Sequence, residues 1–112
     1  MIKYDLTIIQ GETYKKDLLF KSNELPYDLT GYTIKSQIKT FPGNHIVSEE
    51  FTCTMEPEDG MVHLELTSEQ TNKLNKSMYF YDVLLYKEGV NSYYIGGKIF
   101  MKKHVTEPII NE

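Results

Sequence analysis

The stretch FTCTMEPEDGMVHLELT, residues 51–67, constrains this chain most tightly. On either side of Asp59-Gly60, apolar residues recur at every second position: Phe51, Cys53 and Met55 before it, Val62, Leu64 and Leu66 after it. A period of two sends alternate side chains to opposite faces of an extended strand, whereas a helix needs a period near 3.6. Glycine supplies the left-handed backbone of a tight reversal at almost no steric cost, so the stretch predicts a β-hairpin with one apolar face. That face has to be buried against a second layer.

The same period recurs along the chain. Leu6 and Ile8 alternate with Asp5 and Thr7 in a strand that ends at Gln10-Gly11, and Leu18 and Phe20 share a face with Tyr14 in TYKKDLLF. NELPYDLTG carries loop punctuation, and beyond it Tyr32, Ile34 and Ile38 alternate with Lys35 and Lys39. In MYFYDVLLY the odd positions Tyr79, Tyr81, Val83 and Leu85 form the core face, and Asp82 falls on the opposite one. KEGVNS reads as a hairpin connection into a strand holding Ile95, Ile99 and Met101 on one side. The Gly96-Gly97 pair there predicts a bulge or a close backbone approach.

One short helical signal interrupts the strands, with Ser68 as N-cap, Glu69 in the first turn and Leu74 facing inward. Nine Tyr and five Phe suit half-buried sheet faces. The pattern predicts an all-β fold, an antiparallel β-sandwich of roughly seven or eight strands with one helical turn near residues 68–75. At 112 residues it is a single domain, 1–112, whose 106–112 segment is a mobile end or a docking tail around Pro108.

Chemistry is sparse. A formal net charge of −4 argues against a nucleic-acid surface, which depends on clustered cations, and no apolar run is long enough to cross a membrane. Cys53 is the only cysteine, so no intrachain disulfide or CxxC pair can form, and its alternating position reads as a small buried hydrophobe. His45, His63 and His104 show no metal-ligand spacing and read as solvent-facing. Glu49, Glu50, Glu56 and Glu58 flank turns and read as solvated rather than as a catalytic carboxylate pair. No catalytic, metal or cofactor site is expected. Tyr93 and Tyr94, beside Asn91 and Ser92, are the candidates for an interface or glycan contact.

The segments YDLTIIQGETY, PYDLTGYTIKSQIKT, EDGMVHLELTSEQTNKL and MYFYDVLLY, in that order over residues 4–106, resemble the N-terminal immunoglobulin-like domains of tailed-phage virion proteins. The nearest named family is the phage baseplate upper protein. The resemblance implies an immunoglobulin-like sandwich without enzymatic activity, located in the virion. Its implied partners are other virion proteins, in a homo-oligomer or in multiple copies at the tail, baseplate, neck or capsid surface. A carbohydrate-binding module resting on Tyr93 and Tyr94 is the competing reading. In immunoglobulin-like sandwiches a Tyr near the start of the penultimate strand often bonds back to the preceding corner, and Tyr79 with Leu74 is placed to form it. Asp82 reads as structural, paired with a neighbouring-strand Lys or a strand-edge amide.

Overall fold

The computed structural model describes residues 1–109. In chain order the strands are β1 (Ile2–Lys3), β2 (Leu6–Ile9), β3 (Tyr14–Leu19), β4 (Lys21–Ser22), β5 (Leu25–Pro26), β6 (Thr33–Lys35) and β7 (Gln37–Lys39). They continue as β8 (Glu49–Glu50), β9 (Thr52–Glu56), β10 (Met61–Leu66), β11 (Met78–Lys87) and β12 (Val90–Lys102), with one helix, α1 (Ser68–Lys73). The hairpin around Asp59-Gly60 joins β9 to β10, and β3 completes a three-stranded sheet in the order β3-β10-β9. Its reversal is wider than a two-residue turn: Pro57–Asp59 forms a 3-10 turn and Gly60 takes the left-handed conformation that ends it.

The second sheet has seven strands along the order β1-β12-β11-β7-β8, with β2 also on β12 and β6 also on β11. Together the sheets make the all-β sandwich that the alternation predicts. Val62, Leu64, Leu66 and Leu18 from the smaller sheet meet Ile38, Val83, Leu85 and Ile99 from the larger, all buried. Burial of each such side chain contributes about 1.5–3 kcal/mol. Aromatic rings close one side, where Phe51 meets Tyr81 edge-on at 6.1 Å between centroids.

The strand count and direction depart from the expectation of seven or eight antiparallel strands. Both β1 and β2 run parallel to β12, Ile2 facing Ile95 and Leu6 facing Ile99, so the larger sheet is mixed. The 32–39 segment splits into β6 and β7 at buried Ser36, whose hydroxyl donates to the Asp82 carbonyl at 2.6 Å. The predicted loop at 23–31 opens with a small hairpin of β4 and β5, turned by Asn23 and Glu24 at positive φ.

One local expectation is corrected, and of the two roles open to Gly96-Gly97 one is found. The N-cap of α1 is Thr67 rather than Ser68, in a reciprocal capping box with Gln70. Ser68 instead donates its hydroxyl to the Gly11 carbonyl, a contact the local sequence does not announce. The bulge of β12 lies at Tyr94, between the pairs Val83–Ile95 and Leu84–Tyr93, not at the glycines. Gly96 and Gly97 serve close approach: a Cβ on Gly97 would stand 2.7 Å from the Tyr4 carbonyl oxygen, and one on Gly96 2.8 Å from that of Tyr81.

Within the C-terminal segment, Pro108 is half-buried and stands where any side chain on Gly11 would meet it. Residues 110–112 of the 106–112 tail lie outside the described residues.

Candidate functional site

The helix-to-strand corner is built from Leu74 and Tyr79. Leu74, the residue that ends α1, is buried, and the hydroxyl of buried Tyr79 accepts the Lys76 amide at 3.0 Å. On the inner side of α1, the fully buried Thr71 ties the corner to the β2–β3 turn. Its hydroxyl accepts the Gly11 amide at 3.0 Å and donates to the Glu12 carbonyl at 2.8 Å.

The outer face of the larger sheet carries an open groove of about 660 Å³. Strand register fixes its layout in rows. Phe80 stands between Lys39 on β7 and Lys98 on β12. Asp82 faces Gly96, which in turn faces Lys3. Leu84 lies between Lys35 and Tyr93. The floor is therefore apolar around one carboxylate, and its sides are cationic. Burial raises the Asp82 carboxyl above its ordinary value, and the nearby Lys39 ammonium opposes that shift. The expected partner is missing: among the described residues the Asp82 carboxylate makes neither a hydrogen bond nor an ion pair, and only its backbone carbonyl is engaged, by Ser36.

Tyr93 and Tyr94 do not form one platform. Successive residues of a strand point to opposite faces, and the bulge leaves Tyr93 on the groove side, 56% exposed. Tyr94 instead packs against Phe20 and Tyr27, with ring centroids at 6.0 and 5.9 Å. There it lines a smaller slot of about 330 Å³ between the sheets, which Ile2 and Leu19 also border. The Tyr27 and Tyr32 hydroxyls meet at 3.2 Å, and Lys87 sits 5.1 Å from the centre of the Tyr32 ring.

The fold is similar to the N-terminal domain of phage TP901-1 ORF48. That likeness covers 92% of this chain and 100% of the other, at a TM-score of 0.53 and 12% sequence identity. No protein-family model matches the chain, and no curated protein matches it.

Several of the other titratable groups have structural partners. His63 stands on the outer face of the smaller sheet, where its Nδ1 meets Asp17 Oδ1 at 2.5 Å and its Nε2 meets Glu56 Oε2 at 2.9 Å. The hydrogen bonds to Asp17 and then Glu56 raise its pKa. His104 departs from the solvent-facing expectation: it is half-buried, with Nε2 at 3.2 Å from Asn72 Oδ1, whereas His45 is exposed. Glu49 accepts from Gln70 and Glu50 from Gln37 on the larger sheet, whereas Glu56 holds His63 on the smaller one. The four glutamates therefore do not converge on one site. Burial and the Glu50 charge push the half-buried Cys53 thiol up to about 11, which keeps it protonated at neutral pH. Sequence reasoning placed Lys35 and Lys39 on one strand face but missed their convergence with Lys3 and Lys98, which depends on pairings across the whole chain.

Proposed function

We propose that this chain is a non-enzymatic structural component of a tailed-phage virion that works through contacts with other virion proteins. The observation that carries the proposal is the fold likeness to the phage TP901-1 ORF48 N-terminal domain, which extends over nearly all of both chains. The surface fits such a role, since the outer face of the larger sheet carries an open groove with apolar and charged walls, the mixture found in protein–protein contacts. Tail, baseplate, neck and capsid surface are all locations this reading allows, with the chain present in multiple copies.

The competing glycan-binding reading gains no support, because Tyr93 and Tyr94 stand on separate surfaces and cannot stack on one sugar. Quantitative mass spectrometry of purified particles tests the proposal. The expected result is a fixed stoichiometry relative to the major capsid protein; absence from intact particles would remove it.

A further inference from the structure

We propose that the groove on the outer face of the larger sheet docks an acidic segment of a neighbouring protein, one that brings an apolar side chain between flanking carboxylates. The inference rests on the groove's own chemistry, and its place in a particle rests on the virion reading above.

Charge complementarity identifies the occupant. The chain as a whole is anionic, at −4, yet this face gathers Lys3, Lys35, Lys39 and Lys98 around one carboxylate. Lys35 is partly matched by Glu50 at 3.9 Å, whereas Lys3, Lys39 and Lys98 form no ion pair among the described residues. By register, Lys39 and Lys98 flank Phe80 two strand spacings apart, about 10 Å, and the Lys35 row lies four residues along β11, roughly 13 Å away. Phe80, Leu84 and Tyr93 supply apolar surface between these cations.

Asp82 selects within the anions. Its carboxylate sits in the middle of the floor without a donor, so a continuous polyanion laid along the groove would meet a negative charge at its centre. A peptide can instead place a backbone amide or an Asn there while its acids reach the lysines. The chemistry therefore favours an acidic protein segment over a nucleic acid.

The test has two arms. In the first, the full chain is titrated into a fluorescein-labelled peptide alternating Asp and Leu with one central Asn, and into a single-stranded oligonucleotide of equal charge. Binding of the peptide should weaken at least about tenfold in Lys39→Glu/Lys98→Glu and with added salt, and stay unchanged in Lys73→Glu/Lys76→Glu on the helical side. Should the groove variant fail to fold, Lys98→Gln replaces it with a smaller drop expected. An unbound peptide, equal weakening by both double variants, or tighter binding of the oligonucleotide overturns the proposal.

The second arm places a photo-crosslinking residue at Tyr93 or at Thr54, on the opposite sheet, in assembled particles. Crosslinks from Tyr93 into an acidic segment support the proposal, and crosslinks from Thr54 alone overturn it. Absence of the chain from particles would defeat the virion reading only, and the peptide titration would still decide the groove.

Discussion

Thr71→Val is the sharpest probe of how the corner is held. Valine keeps the volume, the β-branch and nearly the same helix propensity, so the change isolates the hydroxyl. That hydroxyl makes two long-range hydrogen bonds, from the Gly11 amide at 3.0 Å and to the Glu12 carbonyl at 2.8 Å. Each bond contributes about 0.5–1.5 kcal/mol, and stranding the buried Gly11 amide raises the loss, so about 2–4 kcal/mol of stability should go. Thr71→Ser keeps the hydroxyl and removes one buried methyl, at a cost of about 1 kcal/mol. Urea unfolding followed by circular dichroism should therefore rank wild type above Ser and Ser above Val, with an unchanged m-value. If Ser proves worse than Val, packing rather than hydrogen bonding holds the corner and the reasoning fails.

Three further outcomes follow from other sites. Tyr79→Phe should cost about 1 kcal/mol through loss of the acceptor for the Lys76 amide, and an unchanged melting temperature would count against that bond. Asp82→Asn should raise stability at neutral pH by less than about 1 kcal/mol, because the folded state disfavours the charged carboxyl; the gap between the two proteins should close as pH falls and the wild-type group is protonated. His63 has a folded pKa raised above its ordinary 6.5, so its contribution is complete below 6.5 and is lost as pH rises through the raised value. Thermal unfolding from mildly acidic to alkaline pH should show that loss in the wild type and not in His63→Gln; parallel profiles would refute the clamp by Asp17 and Glu56.

What could be read from the sequence was what depends on neighbours along the chain. The alternation in β10 and β11 placed Val62, Leu64, Leu66 and the four odd residues from Tyr79 to Leu85 in the core, where each is buried. Thr67 was within reach of the same reasoning, since the Thr67–Gln70 spacing is that of a capping box, but Ser68 competes with it in the local sequence. The misses have non-local causes. Parallel pairing of β1 and β2 with β12 joins segments about ninety residues apart, and no local pattern encodes it. The break at Ser36 follows from its bond to the Asp82 carbonyl, and the need for glycine at Gly97 from Tyr4 and Asp5 lying against it. Asp82 looked paired because lysines neighbour it across the strands; register puts them on the same face, yet among the described residues none forms an ion pair with it.

The parallel β2–β12 ladder also decides how the molecule responds to tension. Leu6 to Ile9 lie in register beside Ile99 to Lys102, so the first long strand of the chain and the last run side by side in one direction. A force drawing the two ends apart slides these strands past each other, and the bonds of the ladder resist together instead of opening one after another as in a peeled hairpin. Resistance to pulling along the chain is thus set by where its two ends meet, not by the long β11–β12 hairpin that holds the centre of the sheet.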